Sequence, residues 1–121
     1  MSFSLNTRTV RNVVILDLEG RITVGESVLL LRETIHRLCE QGFTEFVVNL
    51  ESVSYIDSCG LGELVANYTS VTRRQGTVCI LKPTSRTLHL LETTRLSTVF
   101  PIFGDEAAAV ESRSGKAASQ N

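Results

Sequence analysis

The sequence predicts an α/β protein, a single domain with a mainly parallel, mixed β-sheet of about five strands covered by four helices. Short apolar runs alternate with longer segments whose apolar residues recur every three or four positions, in the order β-β-α-β-α-β-α-β-α. The runs FVVNL and VCILK are almost continuously apolar, which is typical of strands buried on both faces of a parallel sheet. The length of 121 residues fits one domain.

The first part of the chain predicts a β-hairpin. Residues 3–10 alternate loosely between apolar and polar, and Arg11-Asn12 predicts a tight turn into the run VVILDLEG, which Gly20 is expected to end. Alternation in the second strand places three apolar residues on one face: Val14, Leu16 and Leu18.

The middle of the chain predicts two helices on either side of a buried strand. Residues 26–41 change to a helical period, and Gly42 stands where the end of a helix favours positive φ. The apolar stripe of this first helix consists of Val28, Leu31, Ile35 and Leu38. FVVNL is the strand, after which helical spacing resumes at Gly60 and is expected to end at Gly76.

The last part predicts two strands and two helices. VCILK is a buried strand, and Thr84 or Ser85 can cap a third helix that continues through Leu96. VFPIF is a short last strand, in which the proline indicates an edge position. A small helix over residues 105–110 completes the domain.

We expect the domain to cover residues 1–111. The polar, small residues of 112–121 predict a disordered C-terminal tail.

Composition and charge exclude several classes of protein. The formal net charge of -1 gives no electrostatic sign of nucleic-acid binding, and no apolar run is long enough to cross a membrane. Three cysteines, an odd number, lack the C-x-x-C spacing of a zinc or redox site, and no signal peptide precedes them. We therefore expect a cytoplasmic protein with free thiols, no metal ligands and no cofactor.

The stretch SYIDSCGLG, residues 54–62, connects the third strand to the second helix. Ser58 stands near the helix start, where free N–H groups and the helix dipole would receive a phosphoryl group. A serine that only caps the helix is the commoner arrangement, and spacing alone favours it. Asp57 has two interpretations as well: it caps the helix itself, or it contacts a metal ion in a partner's nucleotide site.

An enzymatic alternative would use Cys59 as a nucleophile with His36 or His89 as its base. Both histidines lie beside apolar stripes of predicted helices, where surface or partly packed positions are commoner than catalytic ones. The sequence has no G-x-S-x-G elbow, P-loop or dinucleotide fingerprint, so we predict that the protein is not an enzyme.

The segment VNLESVSYIDSCGLGELV resembles the signature region of the STAS domain of bacterial anti-sigma-factor antagonists. In that pattern a buried strand leads into Asp-Ser-(Ser/Thr)-Gly-Leu-Gly. The resemblance extends over about residues 3–111, including Gly20, Gly42 and the segment LLETTRLSTVF. One position departs from the pattern, since Cys59 replaces a small hydroxyl residue. Cysteine is similar in size to serine but a weaker hydrogen-bond donor, and oxidation of its thiol is a further hypothesis.

The resemblance implies a partner-switching regulator with a STAS-like fold. Its unphosphorylated form would bind an anti-sigma factor that is a serine kinase, and would thereby free a sigma factor. Phosphorylation of Ser58 would release it, and a serine phosphatase would reset it. The implied partner-binding residues are Asp57, Cys59, Gly60, Leu61 and Gly62. Two alternatives stay open: a STAS interaction scaffold that is not phosphorylated, and a regulatory domain that binds a small ligand.

Overall fold

A computed structural model describes residues 3–119. The strands are β1 (Ser4–Val10), β2 (Val13–Ile22), β3 (Glu45–Ile56), β4 (Thr77–Leu81) and β5 (Ile102–Phe103). The helices are α1 (Glu26–Glu40), α2 (Ser58–Arg73), α3 (Ser85–Thr93) and α4 (Glu106–Ser119), with a 3-10 turn at Leu96–Thr98. The predicted α/β class, with five strands and four helices, is confirmed for this part of the chain.

The sheet has the order β1-β2-β3-β4-β5. β1 pairs antiparallel with β2, and the other neighbouring strands pair in parallel. The predicted hairpin is confirmed, and both of its turn residues have positive φ, 53° at Arg11 and 69° at Asn12, as a type I′ turn requires. β5 lies at the edge of the sheet, as predicted from Pro101, which directly precedes it.

The sheet has a core on each face. Helices α1, α2 and α3 cover one face, over a cluster that includes Val14, Leu16 and Leu18. Helix α4 covers the other face, where Ala109 and Val110 pack with residues such as Ile15 and Val47. The alternation predicted for β2 is therefore confirmed, and the parallel strands are buried on both sides.

Two strands run further than the sequence predicted. β2 continues past Gly20, which has φ 106°, because the register shifts there and Ile22 still pairs with Ile56. For the same reason β3 extends from the FVVNL run to Ile56, since its second half follows the end of β2. These extensions bring the ends of β2 and β3 side by side, and the start of α2 packs against Ile22 at the end of β2.

Two helix ends also differ from the prediction. α3 stops at Thr93 because Arg95 adopts the left-handed conformation (φ 64°), so Leu96 lies in the 3-10 turn. α4 continues to Ser119, and Arg113 is buried one turn beyond Ala109. Residue 111, the predicted end of the domain, thus lies inside a helix. Residues 120 and 121, the end of the predicted tail, lie outside the described residues.

Within residues 3–119, none of the helices combines the length and the apolar character that crossing a membrane demands.

Candidate functional site

The SYIDSCGLG stretch lies where β3 ends and α2 begins. The neighbouring strand β2 ends at the same edge of the sheet, and its connection to α1, residues 23–25, passes beside the start of α2. In α/β sheets, ligand-binding and active sites usually lie at the carboxyl ends of the parallel strands. The position predicted from the sequence for this stretch is therefore confirmed.

Asp57 is the N-cap of α2. Its Oδ1 accepts a hydrogen bond from the backbone N–H of Gly60 (2.8 Å), and its Oδ2 accepts one from the N–H of Val24 (3.0 Å). Its own N–H donates to the carbonyl of Ile22 (3.1 Å). The N–H of Gly60, followed by that of Val24, lowers the pKa of the carboxyl because these bonds favour its charged form. The Asp57 carboxylate and backbone thus link the end of β2, the loop that follows it and the start of α2.

Ser58 is the first residue of α2 and is exposed. Its hydroxyl has no hydrogen-bond partner among the residues that the structure describes. The interpretation of Ser58 as the helix cap is therefore wrong, because Asp57 already occupies that position. The hydroxyl is free and accessible at the mouth of the helix.

The two glycines of the stretch serve different purposes. Gly60 is buried, and a Cβ there would lie 2.9 Å from Cγ2 of Ile22 and closer still to the Ile22 carbonyl oxygen. Gly62 is exposed, and a Cβ there would meet nothing within 4 Å. Only Gly62 leaves open space for a partner, whereas Gly60 allows α2 to begin against the end of β2.

Leu61 and Cys59 complete the predicted partner-binding set. Leu61 is half-buried and packs against the main core, so only part of it can meet a partner. Cys59 is exposed and lines a depression of about 540 Å³ between α1 and α2, together with Val24 and Leu29. Two members of the set, Cys59 and Gly62, therefore share this depression.

The structure places Cys59 in a different depression from both candidate histidines. His36 lines a depression with Arg32 and Glu63, and His89 lines another with Tyr55. Cys59 belongs to neither depression. Among residues 3–119 there is also no group of three or more His, Cys, Asp or Glu side chains placed to hold a metal ion.

Sequence reasoning missed two features of this surface. Val24 is 71% exposed, and the guanidinium of Arg21 lies over the ring of Tyr55 at 4.9 Å. Both lie beside Asp57 because β2 runs on past Gly20, which the sequence pattern did not predict. The available signal was the segment TVGES, in which an apolar residue precedes a loop glycine.

The STAS domain model matches residues 4–109, which is most of the chain. The chain belongs to the STAS domain family. Its similarity to individual members is moderate in sequence and extends over nearly their whole length, as two relatives with curated names show.

The anti-sigma-B factor antagonist of Bacillus subtilis is 28% identical to this STAS chain over 111 residues, which are 92% of this chain and 100% of the relative. The anti-sigma-B factor antagonist of Staphylococcus aureus is 29% identical over the same coverage.

Solved structures of anti-sigma factor antagonists share the fold. An anti-sigma factor antagonist from Mycobacterium paratuberculosis superposes with a TM-score of 0.79 at 18% identity, covering 93% of this chain and 94% of that one. SpoIIAA in its unphosphorylated form gives a TM-score of 0.68 at 23% identity, with 91% and 96% coverage. At these identities the likeness establishes the fold alone.

Proposed function

We propose that this STAS protein is an anti-sigma-factor antagonist that acts by partner switching. Its unphosphorylated form binds an anti-sigma factor that is a serine kinase, and a sigma factor is thereby freed. Phosphorylation of Ser58 releases the antagonist, and a serine phosphatase restores it. The observation that carries this proposal is the exposed, uncommitted hydroxyl of Ser58 next to a helix cap supplied by Asp57.

The start of α2 suits a phosphoryl group on Ser58. The first turn of a helix presents free N–H groups and the positive end of the helix dipole. Ser58 lies in that turn, and Gly62 leaves the approach from solvent open. The acceptor hydroxyl is therefore both reachable by a kinase and favourable for the product.

The charge of a phosphate is sufficient to break a complex. Phosphorylation adds about 1.5 to 2 negative charges at one spot, beside the carboxylate of Asp57. A thousandfold loss of affinity corresponds to about 4 kcal/mol. One phosphate buried in an interface without a matching cation can supply that. The exchange of partners then needs no large rearrangement of the fold.

The relatives support this proposal by their names. The two curated relatives are antagonists of anti-sigma-B factors, and this chain spans their full length. SpoIIAA has been solved in a phosphorylated form, which superposes here with a TM-score of 0.71. We further propose that the protein is a cytoplasmic, non-enzymatic regulator without direct contact to nucleic acid or membrane.

A small-ligand regulatory domain is the second candidate function. A depression of about 280 Å³ between the end of β3 and α3 is lined by Tyr55, Ile56 and Leu90, with Arg86 and His89 at its side. It adjoins the phosphoacceptor stretch, so an occupant there would act on the same site. Kinase binding that changes with a ligand but not with Ser58 substitution would favour this function.

The test of the main proposal uses purified anti-sigma-factor kinases encoded in the same genome. We expect intact-mass spectrometry after incubation with ATP to show one added phosphate on the wild type and none on Ser58→Ala. Ser54→Ala is the matched control, because Ser54 is an exposed serine four residues earlier, and it should be phosphorylated normally. ATP should weaken kinase binding of the wild type but not of Ser58→Ala. Phosphate elsewhere than on Ser58 would overturn the proposal.

A further inference from the structure

The loop between β2 and α1 is held in place by hydrogen bonds to the backbone of two adjacent residues, Thr23 and Val24. The N–H of Val24 donates to Asp57 Oδ2 at 3.0 Å. The hydroxyl of Ser27, which is buried, accepts a hydrogen bond from the N–H of Thr23 (2.8 Å) and donates one to the Thr23 carbonyl (2.7 Å). The backbone of Thr23 and Val24 is thus fixed by three hydrogen bonds.

This fixed loop displays an apolar side chain to solvent. Val24 is 71% exposed and Leu29, on the first turns of α1, is 52% exposed. Single apolar residues on a surface are common. These two instead line one depression with Cys59 and Gly62, which belong to the phosphoacceptor stretch. An apolar group on an ordered backbone loses little conformational freedom when a partner covers it.

An enzyme that reaches Ser58 must cover this loop as well. A specific protein interface buries about 800 Å² on each partner. The backbone nitrogen of Val24 is 3.0 Å from a carboxylate oxygen of Asp57, the residue before Ser58. Val24 therefore lies inside the footprint of any kinase domain that places its active site on the Ser58 hydroxyl.

We propose that Val24 is an apolar anchor for the serine kinase, which contributes an apolar socket, and that Asp57 is a positioning residue that holds Val24 for it. This rests on the proposed phosphorylation of Ser58. The two oxygens of Asp57 divide the work: one caps α2, and the other orders the loop that the kinase grips. The acid in the Asp-Ser pair thus contributes to recognition through Val24, in the loop beside it.

Amide hydrogen exchange tests the positioning role without any kinase. An amide side chain has one acceptor oxygen, so Asp57→Asn can satisfy only one of the two N–H groups. Asparagine is itself a favourable N-cap residue, so we expect that oxygen to stay with the N–H of Gly60. We expect the Val24 amide to exchange about tenfold faster in Asp57→Asn than in the wild type, while the Gly60 amide stays protected and shows that α2 is intact. An unchanged exchange rate at Val24 would overturn the positioning role.

Phosphorylation kinetics test the anchor. We expect Val24→Ser to raise KM for the kinase about tenfold with little change in kcat. Val24→Ile, which keeps an apolar side chain, should have the KM of the wild type. Leu30→Ser is the control, since Leu30 is a partly exposed apolar residue of α1 outside the depression. If Asp57 acts through Val24, the effects of Asp57→Asn and Val24→Ser on KM are not additive in the double variant.

The same assay separates the two proposals. A wild type that no kinase phosphorylates contradicts the proposed function. A wild type that is phosphorylated normally, with Val24→Ser equal to it in KM, contradicts the anchor alone. Fully additive effects in the double variant would mean that Asp57 meets the kinase independently of Val24, and would overturn its role as a positioning residue.

Discussion

Gly60 and Gly62 are matched glycines, two residues apart in the first turns of α2, with opposite expected responses to alanine. A Cβ at Gly60 would lie 2.9 Å from Cγ2 of Ile22 and closer still to the Ile22 carbonyl oxygen. Real Cβ atoms essentially never approach other heavy atoms to within 3.0 Å. Ile22 is fully buried, and its carbonyl accepts the N–H of Asp57, so neither can move aside cheaply.

The magnitudes follow from these surroundings. Gly60→Ala has to displace the start of α2 from β2 by about 1 Å, and overpacking of this kind costs about 1–3 kcal/mol of unfolding free energy. Gly62→Ala meets open space inside a helix, where alanine in place of glycine contributes about 0.5–1 kcal/mol of stability. The two variants are therefore expected on opposite sides of the wild type.

Urea unfolding followed by circular dichroism measures both changes. We expect a lower midpoint for Gly60→Ala and a higher one for Gly62→Ala, with similar slopes. Gly60→Ala should also be phosphorylated more slowly, because the displacement disturbs the cap beside Ser58. A Gly60→Ala protein as stable as the wild type would refute the argument that this glycine exists for the contact with Ile22.

Three further predictions concern the same surface. Ser58→Ala should change the unfolding free energy by less than about 0.5 kcal/mol, whereas Thr84→Ala, which removes the true cap of α3, should cost about 1 kcal/mol in the same urea assay. One thiol of the three, that of Cys59, should react rapidly with a disulfide reagent, and the fast phase should vanish in Cys59→Ser, because the other two thiols are buried. The lowered pKa of Asp57 means that its stabilising effect is present above its unfolded value of about 3.9 and is lost as the pH falls through the folded value. The stability difference between wild type and Asp57→Asn should therefore be constant above about pH 5 and shrink in unfolding experiments below about pH 4.

The parts of the fold that the sequence predicted depend on local physics. The alternation in β2 and the positive-φ turn at Arg11-Asn12 are set by neighbours a few residues away, and both were confirmed. The extension of β2 and β3 depends instead on pairing between distant strands, as at Ile22 and Ile56. A glycine inside an apolar run indicates a strand end when the neighbouring strand that pairs beyond it is not known. The end of β2 was therefore wrongly predicted at Gly20.

The length of α4 escaped prediction for a related reason. The tail looks polar in isolation, which is typical of disorder. Arg113 nevertheless lies one turn after Ala109, on the helix face that packs against the sheet. Burial raises the pKa of the Cys79 thiol to about 11, and Arg113 is close enough for its charge to oppose that rise. The long stem of an arginine can cover apolar surface, so a polar residue continued a buried face.

At the site, the sequence identified the residues but not how their roles are divided. Asp57 and Ser58 were both possible caps, because both residue types favour that position and stand next to each other. The choice depends on the backbone of residue 57, which is extended (φ -89°, ψ -178°), and on the N–H groups within reach of each side chain. The tie from Asp57 to Val24 crosses 33 positions of sequence, and no local pattern encodes it.

The order Asp-Ser suits the phosphorylation switch that we propose for this position. A hydroxyl at the N-cap is committed to the helix N–H groups, and modifying it would sacrifice the cap. A hydroxyl beyond the first turn would lose the helix dipole, whose effect falls off within that turn. The first helical residue meets both conditions only if the residue before it supplies the cap, and a carboxylate can do so while a second oxygen holds the adjoining loop. The hydroxyl of Ser58, the proposed phosphoacceptor, is free because Asp57 supplies the helix cap.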